Sequence, residues 1–316
     1  MLVSVIIPVF NEEKILRPLF EKIKAVLSGD KSTDYEIVFI DDCSRDSSFS
    51  ILEGLSREDS PFPVRIIKLA RNVGTHIGLQ AGMRYCRGDA AVIIAADMQC
   101  PLEAIPELVA RHREGFPVVW AIRTERRESI WNRMFARCYY LLLKMLVKQE
   151  LHYFDIESFL VNRQIMNQMK DIREKNSNIL LLIMSLGFKQ GLIGVKRLER
   201  TTGRSGWTLS RKIKLLVDSL VSFSYLPIRL ISYLGIFISL SGFILAGFQI
   251  YDKLSGVQKP MGWTSLIVLI LILSGIQMLI LGVLGEYLWR AFDQLSSKPY
   301  YVIDRLVGFE EKEKDR

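Results

Sequence analysis

Cysteine is scarce in this chain. The 316 residues include four, Cys43, Cys86, Cys100 and Cys138, and no two stand in a CxxC or other metal-ligand spacing. This leaves no basis for a disulfide framework or a thiolate zinc site, and the four read as single reduced thiols in a cytosolic domain. Internal repeats are absent, so a repeat architecture is excluded. Low complexity is confined to the charged tail Glu310–Arg316, which reads as disordered. A secretory leader is not expected, because Met1 runs into LVSVIIPVF, which is too short and has no basic start. Charge is missing from two stretches: Leu230 to Ile250 has none, nor has the segment between Lys259 and Glu286.

Those two stretches define one half of the organisation. A helix of about 20 apolar residues crosses a hydrocarbon core of about 30 Å. Leu230–Ile250 and Trp263–Leu284 each suffice, with Tyr251–Gly262 as a polar connection. Two helices buried in a soluble protein are the alternative, and their consecutive placement favours a membrane hairpin. Arg204, Arg211, Lys212, Lys214 and Arg229 precede the first stretch, and Arg290, Lys298 and Arg305 follow the second. The connection carries only Lys253 and Lys259. The positive-inside rule then puts both termini in the cytoplasm, in a multi-pass protein of the cell membrane. Lys212–Phe223 reads as an amphipathic helix on the membrane surface, or as an ordinary core-facing helix. The net charge of +8 and pI of about 9.3 suit an anionic partner. A nucleic-acid binder would explain the charge but not the spans, so no nucleic acid is expected.

The other half alternates. Val3–Val9, Tyr35–Ile40, Val64–Leu69, Ala90–Ala95 and Val118–Ile122 read as strands. Helical patterns lie between them at about 15–27, 47–57, Thr75–Cys86 and Leu102–Arg113, the first with Asn11 as its N-cap. Arg127–Lys148 and Ile179–Leu186 also read as helical, and Glu150–Val161 is ambiguous. Strand–helix alternation predicts an α/β fold with a parallel sheet covered on both faces. Ligands then bind at the carboxyl ends of the strands. Five polar clusters fall there: Asn11–Glu13, Asp41–Asp46, Arg71–Asn72, Asp97–Gln99 and Arg123–Arg127.

The stretches SVIIPVFNEE, VFIDDCSRD, LARNVGTHIGLQAGM and AADMQCPLEAIPEL resemble the family-2 inverting glycosyltransferases of GT-A fold. Within these the chain is similar to the polyprenyl-phosphate glycosyltransferases, relatives of dolichol-phosphate mannose synthase. The likeness continues through SFSYLPIRLISYLG, GWTSL and LGVLGEYLWR and covers nearly the whole chain. It implies a cytoplasmic GT-A domain, Rossmann-like with a mostly parallel sheet, over 1–205. Amphipathic juxtamembrane helices would follow at 206–229, a two-helix transmembrane hairpin at 230–286 and a cytoplasmic tail at 287–316. It implies transfer of a sugar, a UDP-hexose or similar, from a nucleotide-diphosphate sugar to a polyprenyl phosphate. The transfer would invert the anomeric centre and supply a lipid-linked donor for cell-envelope glycan. Mg²⁺ or Mn²⁺ is the implied cofactor, and a homo-oligomer the implied assembly.

By the same resemblance Pro8, Asn11 and Glu13 line the nucleotide pocket, and Asp41 and Asp42 hold base and ribose. Asp97 matches the last aspartate of the family's DxD motif, and Gln99 the glutamine that assists at the metal. Glu157 stands where the family has an aspartate near the acceptor. Several positions depart from the pattern. Ala95 replaces the first DxD acid, Cys100 an acid two residues before Leu102, Phe159 a frequent arginine and Gly206 a frequent lysine.

The residues support this chemistry independently. A divalent ion needs only one or two protein carboxylates when a diphosphate supplies other oxygens, so Asp97 can suffice. Its alternative role is a helix N-cap. Thiol is a poor ligand for a hard cation, and Cys100 reads as a spacer. A phosphate acceptor is already anionic and needs positioning more than a strong base. Arg123, Arg126, Arg127, Arg200 and Arg204 are candidate clamps, or form a basic surface facing lipid. Glu157 can be a base, an acceptor-site carboxylate or a solvated acid. His76 reads as packed or capping rather than catalytic. The competing function is a degenerate relative that binds nucleotide sugar as a scaffold without transfer, and Ala95 and Cys100 motivate it. A polymerising synthase is disfavoured, because two spans are too few for a polymer channel.

Overall fold

The computed structural model describes residues 1–124, 156–171, 179–196, 262–295 and 299–310, with isolated positions between 198 and 255. The chain divides into two compact units, one of 1–212 with 298–316 and one of 213–297.

The first unit is built on an eight-stranded sheet. Its strands are β1 (Leu2–Val9), β2 (Asp34–Asp41), β3 (Val64–Leu69), β4 (Ala90–Ile93), β5 (Val118–Arg123), β6 (Ile156–Asn162), β7 (Gln190–Val195) and β8 (Ile303–Val307). They lie in the order β7-β5-β6-β4-β1-β2-β3-β8. The β1–β2, β1–β4, β2–β3 and β5–β7 pairs are parallel. The β3–β8, β4–β6 and β5–β6 pairs are antiparallel. The sheet is therefore mostly parallel rather than wholly so. β6 enters between β4 and β5 in the reverse direction, which alternation alone does not foresee.

The central strands are apolar on both faces because both are covered. Val3, Val5, Ile6, Ile7, Ile37, Val38, Phe39 and Ile40 are fully buried. Helix α1 (Leu16–Gly29) turns Leu16, Leu19, Phe20, Ile23 and Leu27 into the core at helical spacing. The helices α2 (Ser48–Arg57), α3 (Thr75–Tyr85) and α4 (Ala104–Arg113) repeat the device. Gly82 brings α3 close to the sheet, since a Cβ there would lie 2.6 Å from Ile40 Cδ1 and 2.8 Å from Ile6 Cγ2. α5 (Arg163–Asp171) and α6 (Ile179–Ser185) follow β6.

Three sequence expectations need correction. Asn11 is not an N-cap. α1 starts at Leu16, its cap position is Ile15, and no side chain caps it. Asn11 instead takes a left-handed conformation, φ +55°. The fourth strand stops at Ile93, two residues short of Ala95, so Asp97 stands in the following turn. Finally, the segment read as a tail after the second apolar stretch contains β8. It pairs along β3, and Val302 O accepts a hydrogen bond from Ala70 N at 2.8 Å.

In the second unit α7 (Trp263–Leu295) has 33 residues, about 50 Å at 1.5 Å per residue. Its segment Ile272–Trp289 has a mean hydropathy of 1.5, and none of its described residues is buried. Leu269, Ile272, Met278, Leu281 and Leu288 are exposed along it. This helix is long and apolar enough to cross a membrane, and it contains the second predicted stretch. Most of the first stretch lies outside the described residues. Tyr233, Phe237, Leu240, Ile244 and Phe248 within it are helical and exposed. The proposed amphipathic helix at Lys212–Phe223 lies wholly outside them.

Candidate active site

The carboxyl ends of β1, β2 and β4 each open into a turn containing a non-glycine residue with positive φ: Asn11 (55°), Cys43 (59°) and Met98 (53°). Such residues persist only where surrounding bonds over-determine the backbone. Here the first two turns are laced together. Asn11 N donates to Ser44 Oγ at 3.0 Å, and Arg45 N donates back to Asn11 Oδ1 at 2.8 Å. Glu12 N donates to Ser48 Oγ, Glu13 N to Asp46 Oδ2, and Ser47 N to Glu13 Oε2. Burial opposes the Asp46 charge, but hydrogen bonds from Ser48 and from the Glu13 amide outweigh it, and its pKa lies below the ordinary value.

Asp41 and Asp42 differ in what they have left to offer. Asp42 accepts from Val73 N and Gly74 N, both at 2.8 Å, and so holds the turn before α3. Asp41 is fully buried, and its Oδ1 accepts from Ser44 N at 3.3 Å. Its Oδ2 is buried with no hydrogen-bond partner among the described residues. Burial raises the pKa of both carboxyls above the usual range. An unsatisfied buried acceptor at a strand end is a binding feature in waiting, because leaving it so costs about 1–3 kcal/mol.

The third turn presents Asp97. Its Oδ1 accepts from Gln99 N at 3.2 Å, and Gln99 O accepts from Leu198 N at 2.9 Å. Asp97 is half-buried and Ala95 exposed, whereas Cys100 is buried. Burial pushes the Cys100 thiol up to about 12, with the Glu157 charge adding to it, and thiol is in any case a poor ligand for a hard cation. Among the described residues no group of three His, Cys, Asp or Glu side chains could hold an ion. A divalent ion would thus have Asp97, with Gln99 beside it, and would rely on substrate oxygens and water. That donor set fits a Mg²⁺-like ion, which keeps waters and takes one or two carboxylates.

Because β6 runs antiparallel to β4, its first residues reach the same edge. Glu157 there accepts from Arg123 Nε at 3.0 Å and Nη2 at 2.8 Å, with both side chains nearly buried. Arg123 is accordingly committed to Glu157. Beside them opens a pocket of about 160 Å³, whose lining includes Pro8, Thr75, His76, Ala95 and Glu157. Of the predicted residues, Pro8, Asn11, Glu13, Asp41, Asp42, Asp97, Gln99, Arg123 and Glu157 share this edge. Arg126, Arg127, Arg200 and Arg204 lie outside the described residues. Sequence reasoning passed over Ser44 and Ser48 as individual anchors, although the run DDCSRDSS has the composition of turns closed by side-chain oxygens. It also passed over Thr75 and Ser158 in the pocket, for which no local signal exists.

Residues 4–170 match the family described as "Glycosyl transferase family 2". An uncharacterized glycosyltransferase of Bacillus subtilis, YkcC, is 37% identical over 98% of this chain and 95% of its own. The undecaprenyl-phosphate 4-deoxy-4-formamido-L-arabinose transferase of Pseudomonas aeruginosa is 33% identical over 97% of this chain and 90% of its own. A prophage bactoprenol glucosyl transferase homolog of Escherichia coli is 33% identical over 97% and 99%. Among solved structures, glucosyl-3-phosphoglycerate synthase of Mycobacterium tuberculosis, crystallised with Mn²⁺ and UDP-glucose, superposes with a TM-score of 0.50. It is 16% identical and the match covers 69% of this chain and 76% of that one, which establishes a shared GT-A fold.

Proposed function

The chain belongs to glycosyl transferase family 2, and on that premise we propose that it moves a hexosyl group from a nucleotide-diphosphate sugar to a polyprenyl phosphate at the cytoplasmic membrane face. The observation that carries this reading is the carboxyl edge itself. It gathers one buried carboxylate with an oxygen unpaired among the described residues (Asp41), one half-buried carboxylate in a turn (Asp97) and one carboxylate held by an arginine (Glu157). Relatives named for transfer to undecaprenyl phosphate or bactoprenol align along nearly the whole chain, which supports a lipid phosphate as acceptor. The exposed apolar helix α7 supports a membrane location.

In this mechanism a side-chain shift at the end of β2 brings Asp41 Oδ2, buried in the ligand-free chain, to accept a hydrogen bond from the nucleoside. Asp42 keeps the turn before α3 in place, and Asn11 and Glu13 brace the turn beside the base, with Pro8 at the end of β1. Asp97 and Gln99 would hold Mg²⁺ or Mn²⁺, which neutralises charge on the departing diphosphate. The acceptor phosphate oxygen attacks the anomeric carbon as the bond to the diphosphate breaks. No strong base is required, because that oxygen is already an anion. Glu157 with Arg123 orients the acceptor, and Arg126, Arg127, Arg200 and Arg204 compensate its charge. Attack from the face opposite the leaving group inverts the anomeric centre. The product is a lipid-linked sugar for envelope glycan, made by a homo-oligomer with both termini cytoplasmic.

NMR of the lipid product made from an α-linked UDP-sugar tests the reading. A β-linked sugar phosphate is expected, and an α-linked product contradicts it. Ala95, where the family carries a second acid, motivates a binding scaffold without transfer. That reading predicts nucleotide-sugar binding and no lipid product.

A further inference from the structure

The pocket beside Glu157 contains one group that the proposed mechanism leaves unused. His76 occupies the first turn of α3, and its Nδ1 is buried with no hydrogen-bond partner among the described residues. Two other polar groups in the lining, Ser158 and Glu157, have partners, and Thr75 is exposed at its rim. Ser158 Oγ donates to Ile93 O at 2.7 Å, and Glu157 is held by Arg123. The remaining wall is largely apolar, with Leu79, Ile94 and Ala95. At about 160 Å³ the space is smaller than the roughly 300–1,000 Å³ that drug-sized ligands fill. It can take one ring but not a nucleotide.

We propose that His76 is a specificity-determining residue, whose Nδ1 hydrogen-bonds a hydroxyl of the transferred sugar seated in this pocket. The inference rests on the glycosyltransferase reading above. Three features favour a hydroxyl over a phosphate as the partner. Burial holds the imidazole pKa below its ordinary value, so the ring is neutral and offers a donor and an acceptor rather than a positive charge. The pocket is apolar apart from a few placed polar groups, which suits the mixed C–H and O–H surface of a sugar ring. Ala95 forms part of the lining, and it stands two residues before Asp97, the carboxylate assigned to the diphosphate side.

The test compares full-length parent, His76→Ala and His76→Gln in detergent with polyprenyl phosphate. The donors are UDP-glucose, UDP-galactose, UDP-N-acetylglucosamine, and the singly deoxygenated analogues of whichever the parent prefers. Transfer rates and calorimetric affinity for UDP and for each UDP-sugar are measured together. His76→Ala is expected to lose about 10- to 100-fold in kcat/KM for the preferred donor, the size of one hydrogen bond to a substrate hydroxyl. It should lose nothing for the one analogue lacking that hydroxyl, keep its UDP affinity, and be partly restored in His76→Gln. Uniform losses across all analogues, or a change confined to KM for the lipid, would overturn the assignment and leave the glycosyltransferase reading standing. A parent that binds no nucleotide sugar would overturn both.

Discussion

Arg123 and Glu157, on adjacent antiparallel strands, form a nearly buried ion pair with two hydrogen bonds to one carboxylate oxygen, Oε1. Removing the arginine and neutralising the carboxylate should therefore have different costs. Arg123→Met leaves a buried carboxylate and should cost about 3 kcal/mol of stability, read by urea denaturation. Glu157→Gln keeps a hydrogen-bond acceptor and the fold, and by misplacing the acceptor should lower transfer roughly 100-fold with unchanged UDP affinity. Equal stability losses in both variants would show the pair to be structural only.

Asp41 should trade stability for binding. Its raised pKa means that the folded chain holds this proton to higher pH than the unfolded chain, whose value is near 3.8. The folded state binds more protons in that window, so this group's contribution falls as pH rises from about 3.8 through the folded value, then levels. Asp41→Asn removes the loss. Thermal melts should show the variant more stable than the parent at pH 7, with the gap closing towards pH 3.8. Its affinity for UDP should fall at least about tenfold. A variant less stable than the parent at pH 7 would contradict the account.

The two departures from the family's acidic motif should respond differently to repair. Ala95 is exposed, so Ala95→Asp adds a carboxylate near Asp97 without packing cost and should tighten Mn²⁺ binding measured by electron paramagnetic resonance. Cys100 is 5% exposed, and Cys100→Asp places a charge in the core. It should destabilise by about 2 kcal/mol or more without a comparable gain in affinity.

The C-terminal strand should carry stability. Phe309 lies under the Arg65 guanidinium at 5.0 Å and edge-on to Tyr85 at 6.2 Å. Arg65 in turn pairs with buried Glu36 at 3.3 Å. Phe309→Ala should cost about 3 kcal/mol in denaturant unfolding, whereas substitutions at exposed Asp304 should leave the unfolding midpoint close to the parent's.

These residues also mark how far the sequence can be read. β1 to β4 and their helices were legible because both faces are buried and the apolar runs are continuous. The polar clusters at their ends followed from that frame. β8 was not legible. IDRLV is five residues with two charges, and its partner β3 lies more than 200 residues away, so no local period announces it. β6 was ambiguous for a similar reason, since its pairing with β4 and β5 sets its direction. The chemistry of Glu157 was visible as a residue type, but its tie to Arg123 depends on strand register. Asn11 was misread as a cap because the rule sees an asparagine before a helix and not the turn that reverses it.

The central claim is sugar transfer to a lipid phosphate, and partition of label tests it most directly. Purified protein in detergent is incubated with undecaprenyl phosphate, Mn²⁺ or Mg²⁺ and radiolabelled UDP-sugars, and the organic phase is counted. The account predicts label in that phase from one preferred donor, dependent on the lipid, abolished by EDTA and lost in Asp97→Asn. Folded protein that binds UDP-sugar yet moves no label into the organic phase with any donor would contradict it.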